Sequence, residues 1–293
     1  MLSKFLDPKN DIAFKKIFGS EKNKDILIHF LNDILGFKGN QQIQSVEFLS
    51  PIQDPEIAAK KQSIVDVLCQ DAKGIKYVVE IQVATTKGFE KRAQYYAAKA
   101  YSQQADKGNK YYMLKEIIFI AIADCLIFPN KVGYKSDHII LDRNNYDHDL
   151  KDFSFTFIEL PKFTKKEPAE LETIIEKWCY FFKYANETPI EDLEEIIGSD
   201  KIIKRAYEEL DQFYWSENEL NLYERELKSI RDQAAMLAHA EDKGEIRGEL
   251  KKALDIAKKL FNTGGEYDYV KEVTGLSDQD LLSLKEETAD CTS

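Results

Sequence analysis

Apolar positions along the chain change their spacing twice. Near the amino terminus, Ile12, Phe14, Ile17 and Phe18, then Ile26, Leu27, Phe30, Leu31, Ile34 and Leu35, recur every three or four residues, as on two amphipathic helices. Asp11 stands where an N-cap would accept free backbone N–H groups, and Gly36 where the second helix would end on a left-handed residue. Short apolar runs follow. They predict strands over residues 43–49, 63–69 and 75–83, with Asp71, Ala72, Lys73 and Gly74 turning the last two into a hairpin. Residues 89–104 have helical composition, 117–123 form a buried strand, and 153–160 form another before Pro161. The order is α-β-β-β-α-β with an added strand, an α/β protein with a mixed sheet flanked by helices.

From about Glu167 the signals become helical, with breaks at Pro189 and near Gly198. A long polar helix is expected through 207–239, with Gly244 and Gly248 interrupting or weakening its continuation. Leu254, Ala257, Lys258 and Phe261 keep helical spacing, and a closing helix pair flanks Thr274, Gly275 and Leu276. Ser277 and Asp280 are spaced as a capping box. Two regions are therefore expected: an α/β core over 1–163 and an acidic helical region over 164–293.

Composition fits a globular chain with a sizeable core: 293 residues, 43% hydrophobic and 32% charged. The most apolar stretch, 117–128, contains Asp124 and falls short of the roughly 20 residues that cross a bilayer. No charged-then-apolar leader opens the sequence, so a cytoplasmic location is expected. Cys69, Cys125, Cys179 and Cys291 lie far apart, and His29, His138, His148 and His239 form no ligand-spaced pair. Reduced core cysteines are expected, and any metal would be hard and oxygen-bound.

The net charge of −11 argues at first against nucleic acid. It is unevenly spread. Residues 1–120 carry 18 basic and 14 acidic side chains, a net of +4, whereas the rest carry 23 and 38, a net of −15. A mildly basic core followed by an acidic half leaves DNA open as a partner.

One hairpin holds the candidate chemistry. Asp66 interrupts the apolar run Ile64, Val65, Val67, Leu68, where aspartate is disfavoured in a strand. Glu80 and Gln82, two apart on the next strand, project to one face. With an odd number of turn residues, Asp66 and Glu80 fall opposite each other, and two such carboxylates repel unless a cation lies between them. A divalent metal such as Mg²⁺ satisfies that arrangement. The competing reading is a solvated hairpin face paired with Lys76 or another lysine. On the following helix Arg92 and Tyr96 share a face, with Lys91, Tyr95 and Lys99 adjacent. They would either hold phosphate or belong to an amphipathic helix with core tyrosines.

Asp66, a turn, then Glu80-Ile81-Gln82 in this element order resembles the PD-(D/E)XK nuclease superfamily, and within it the recombination-promoting nuclease and putative transposase (Rpn) branch. Similar too are Asp7-Pro8 before Asp11-Ile12-Ala13-Phe14-Lys15-Lys16-Ile17-Phe18, and Phe30-Leu31-Asn32-Asp33-Ile34-Leu35. Arg92 to Tyr96, Ile158-Glu159-Leu160-Pro161-Lys162-Phe163 and Thr274-Gly275-Leu276-Ser277 extend the likeness over nearly the whole chain. The resemblance implies a restriction-endonuclease-like core and a DNA endonuclease using Mg²⁺ or Mn²⁺. Asp66 and Glu80 would be metal ligands, Gln82 would be the third catalytic position, and Asp11 an additional acidic residue or simply an N-cap. Lys91, Arg92 and Tyr96 would be phosphate-binding candidates. The sequence departs from the superfamily in having Gln82 where lysine is usual and Val65 before the aspartate. An alternative is therefore a catalytically silent DNA-binding or protein-interaction module that keeps the fold. The closing helix pair from Glu266 to Glu287 has 2 basic and 7 acidic residues, which favours a protein contact, including a homo-oligomer through the C-terminal helices.

Overall fold

The computed structural model describes residues 4–50, 65–84, 86–105, 110–198 and 200–290. Six strands form one mixed sheet: β1 (Val46–Phe48), β2 (Val67–Asp71), β3 (Lys76–Gln82), β4 (Ile117–Ala123), β5 (Lys135–Ile139) and β6 (Phe153–Glu159). Their spatial order is β1-β2-β3-β4-β6-β5. β1, β2 and β3 pair antiparallel, β3, β4 and β6 pair parallel, and β5 returns antiparallel along the edge of β6. Every residue of β4 is buried, as a central strand with both faces covered requires.

The helices are α1 (Asp11–Phe18), α2 (Lys24–Leu35), α3 (Phe89–Ser102), α4 (Ile174–Tyr184), α5 (Leu193–Ile197), α6 (Lys201–Leu210), α7 (Glu217–Asn262), α8 (Tyr267–Thr274) and α9 (Asp278–Asp290). The α3 helix connects parallel strands β3 and β4, and it lays Phe89, Ala93, Ala97 and Ala100 on Val78, Phe119 and Ala121 of the sheet. Three alanines let its backbone lie close. Aromatic rings knit α1, α2 and α4 together: the Phe18 centroid is 5.1 Å from Phe30 and 5.6 Å from Phe182, and Phe30 is 5.3 Å from Trp178. The α6 helix packs on α1 and α2 as well.

Asn10, and not Asp11, caps α1. Its side-chain oxygen accepts from the N–H groups of Ile12 and Ala13 at 3.0 and 3.4 Å. The buried Asn10 amide also donates to the Tyr223 carbonyl at 3.3 Å, which a carboxylate, having no hydrogen to give, could not do. Asp11 becomes the first helical residue. At the end of α2, Gly36 has φ 68°, and the N–H groups of Gly36 and Phe37 bond the Asp33 and Asn32 carbonyls in the expected left-handed cap.

Three further sequence expectations need correction. The second strand begins at Val67, so Asp66 occupies a bend just before it; Ser63 and Ile64 lie outside the described residues. The edge strand β5, Lys-Ser-Asp-His-Ile, was not expected, because it lacks apolar alternation and holds its place by pairing with β6. The long helix starts at Glu217 instead of Tyr207, and it runs unbroken through Gly244 and Gly248. Ser216 and Glu219 form its capping box: Ser216 Oγ accepts from the Glu219 N–H at 3.3 Å, and Glu219 Oε2 accepts from the Ser216 N–H at 2.8 Å. Each glycine costs the helix only about 1 kcal/mol relative to alanine, too little to end a run of good helix formers.

The chain divides into two compact units, Met1–Glu226 and Leu227–Ser293. The second has a small core of Ala257, Val270, Leu276, Leu281 and Leu284, with Gly275 at φ 65° ending α8. Among the described residues no helix is long and apolar enough to cross a membrane. Cys69 and Cys179 are buried free thiols, and Cys125 is buried as well.

Candidate active site

The hairpin turn sets the register. Asp71 Oδ1 accepts from the N–H groups of Lys73 and Ile75 at 2.9 and 3.0 Å, and Gly74, at φ 79°, supplies the left-handed residue the turn needs. Five residues, 71–75, separate the last pair, Gln70 and Lys76, and Val67 lies opposite Val79. One further step along that register sets Asp66 across from Glu80. Two hydrogen bonds hold them there: the Asp66 N–H donates to Glu80 Oε2 at 3.2 Å, and the Ile81 N–H donates to Asp66 Oδ2 at 2.9 Å.

The face is not solvated. Glu80 and Gln82 are 6% and 7% exposed, and Asp66 is largely buried. Burial pushes the Asp66 carboxyl above the ordinary carboxylate range, with the charge of Asp11 adding to it and the Ile81 N–H opposing it. Burial and then the charge of Asp66 raise Glu80 in the same direction, against the pull of Arg92. The carboxylates thus stand at the carboxyl end of β3, where ligands of open α/β sheets bind.

Cations flank the pair on both sides. From α1, the Lys15 ammonium lies 2.8 Å from each carboxylate oxygen of Asp11 and 3.7 Å from Asp66 Oδ1. Burial works against its charge, but Asp11, Asp66 and Glu80 outweigh burial and raise its pKa. From α3, Arg92 reaches to 3.8 Å from Glu80 Oε1 and donates to Gln82 Oε1. Gln82 Nε2 in turn donates to the Ala84 carbonyl, so both polar atoms of that amide are engaged. The Arg92 Nε is buried and has no acceptor among the described residues. Its guanidinium lies 4.8 Å from the Phe89 ring centroid and 5.9 Å from that of Tyr96. Gly88, at φ 82°, allows the sharp entry into α3 that brings Arg92 back to the strand it has just left.

The sequence-derived candidates therefore converge unequally. Asp66, Glu80, Gln82 and Arg92 meet in one cluster, and the Tyr96 phenol lies near enough that burial and then the Glu80 charge raise its pKa. Lys91 is exposed on α3 next to Arg92, with Tyr95 also exposed. Asp11 joins the cluster both through Lys15, whose ammonium its two oxygens contact, and directly beside Asp66, whose pKa it raises. Lys15 itself was not singled out, although the Asp11-to-Lys15 spacing of four on a helix was a readable signal.

Among the described residues no three His, Cys, Asp or Glu side chains converge as a metal-binding group. Mg²⁺ does not require three: one or two carboxylates suffice, with waters and phosphate oxygens filling the other positions. Two facing hard-oxygen donors, each destabilised as an anion by burial, fit such an ion. The basic residues at the rim, Lys15, Arg92 and Lys91, are suited to phosphate.

Comparison with curated proteins and with solved structures gave no significant match. A family model does match, over residues 8–240, and its description is PD-(D/E)XK nuclease family transposase. That span holds the whole sheet, α1, α3 and the facing carboxylates. The chain belongs to the PD-(D/E)XK nuclease family transposases.

Proposed function

We propose that the chain is a divalent-metal-dependent DNA endonuclease acting in DNA recombination, with Asp66 and Glu80 as the metal ligands. The supporting observation is the facing of these two buried carboxylates across the β2–β3 register, with cations on either side. Held by Asp66 and Glu80, Mg²⁺ or Mn²⁺ would supply charge to polarise the phosphodiester and to lower the pKa of an attacking water. The protein's residues do the rest. Asp66 and Glu80 concentrate negative charge at the end of β3, Gln82 holds Arg92 beside Glu80, and Arg92, Lys91 and Tyr96 receive phosphates of the DNA backbone. In the reaction one water oxygen bonds to phosphorus, one P–O ester bond breaks, and the leaving oxygen takes a proton. Self-association through α7 is part of the same proposal, supported by exposed Met236, Leu237 and Ile246 on that helix.

The test is nicking of supercoiled DNA by the purified full chain with Mg²⁺ or Mn²⁺, beside Asp66→Ala with its fold checked by circular dichroism. Cleavage lost in the folded variant supports the assignment; equal activity removes Asp66 from the mechanism. The engaged amide of Gln82 favours one rival, a silent module, and DNA binding without cleavage in either metal would establish it.

A further inference from the structure

We propose that Lys15 is a catalytic cation of this site and that Asp11 is its positioning residue, an inference that rests on the nuclease reading above. Four observations carry it. The amide of Gln82 is held in place, its oxygen accepting from Arg92 and its nitrogen donating to Ala84, and being neutral it brings no charge to a growing anion. Arg92 stands on the Glu80 side. On the Asp66 side the cation is the Lys15 ammonium, 3.7 Å from Asp66 Oδ1. That distance is too long for a hydrogen bond, yet it leaves the ammonium beside any water or phosphate oxygen that Asp66 faces.

The ammonium is aimed by a rigid support. Asp11, one helical turn earlier, holds it at 2.8 Å through both oxygens, and an ammonium has three N–H donors, so one remains for a further acceptor. The α1 helix cannot roll to take Lys15 elsewhere, because Ala13, Phe14, Ile17 and Phe18 are fully buried and Asn10 fixes its first turn. The Lys15 side chain is also about one third exposed, at 38%, so it is reachable from the side where DNA would approach. Asp11 holds Lys15 through both oxygens and also stands against Asp66 itself, whose pKa it raises, so the ammonium is fixed between the two carboxylates. In the reaction Lys15 donates to a non-bridging phosphate oxygen or to the attacking water beside Asp66. It stabilises the negative charge that grows there, as preorganised donors do.

The test compares the full-length wild type with Lys15→Met, Lys15→Arg and Asp11→Asn. Mn²⁺ binding is measured by calorimetry without DNA, and cleavage by single-turnover assay with Mg²⁺. The expected result is that Lys15→Met binds Mn²⁺ several-fold more tightly, since a competing charge has gone from Asp66, while its cleavage rate falls about 10²-fold, the usual cost of one such donor. Lys15→Arg should recover at least about tenfold of that loss, and Asp11→Asn should fall between wild type and Lys15→Met. Cleavage by Lys15→Met within threefold of wild type overturns the proposal, as does loss of Mn²⁺ binding, which would make Lys15 a structural support of the carboxylates. A wild type that binds Mn²⁺ and cuts no DNA overturns the nuclease reading instead. Lys15 is then judged on affinity alone: tighter Mn²⁺ in Lys15→Met keeps it at the metal position, and equal affinities remove it. No Mn²⁺ binding by either chain overturns both.

Discussion

The Gln82 side-chain oxygen accepts a hydrogen bond from the Arg92 guanidinium, joining the end of β3 to the first turn of α3. They lie ten positions apart in sequence, and the bond sets the guanidinium beside Glu80. Gln82 is therefore a holder of charge in this chain, and the charge itself comes from the helix.

Arg92→Ala should weaken DNA binding and lower the slope of log Kd on log salt by about one, as expected for one lost phosphate contact. Gln82→Ala keeps the arginine charge, so it should weaken affinity while preserving most of the slope. Fluorescence anisotropy of labelled DNA in EDTA, over a salt series, separates the two. Unchanged affinity in Arg92→Ala would remove that residue from the DNA surface.

The carboxyl pair should make the metal-free protein less stable as pH rises. Folding raises both pKa values, so between the ordinary carboxylate range and neutrality the folded state binds more protons than the unfolded chain, and stability falls with increasing pH. Asp66→Asn removes one of the two charges. It should gain about 1–2 kcal/mol over wild type at pH 7.5, with the difference vanishing near pH 4. Mg²⁺ should raise the wild-type melting temperature and leave the variant almost unmoved. Thermal denaturation over pH 4–8, with and without Mg²⁺, checks all three points, and a wild type that gains stability toward pH 8 contradicts the pairing.

Gly244→Ala and Gly248→Ala should each stabilise α7 by about 0.5–1 kcal/mol. Neither glycine has a positive φ, and a Cβ at either position meets nothing within 4 Å. Helical ellipticity and melting temperature of the double variant should both rise. A loss would mean that a partner presses against that stretch of helix, and self-association measured by light scattering should then fall with it.

Periodicity made much of this structure readable, and pairwise chemistry made the rest obscure. The alternation of Glu80 and Gln82, and the spacing from Asp66 to Glu80, were visible because a strand has a fixed period of two and a turn a countable length. The buried run of β4 was found to the residue, since a fully apolar segment of seven permits little else. The β5 strand was not visible, because its place comes from bonds to β6 and its own residues carry no pattern. Asn10 was passed over for Asp11 because local rank alone does not distinguish them, and it is the distant Tyr223 carbonyl that favours the amide. Lys15 escaped for a similar reason: its meaning depends on Asp66, 51 residues away in sequence.

The hairpin turn of residues 71–75 carries a constraint on how the gene can change. Point substitutions at Ala72 or Lys73 leave the length of the turn unchanged, but inserting or deleting one residue moves β2 by one place against β3. Asp66 would then lie opposite Val79 or Ile81, and its side chain would leave the face that Glu80 shares with Gln82. Apart from Asp71 and Gly74 the turn can thus drift in spelling while its length stays fixed, and frame-preserving insertions between Asp71 and Ile75 should survive only in pairs of codons.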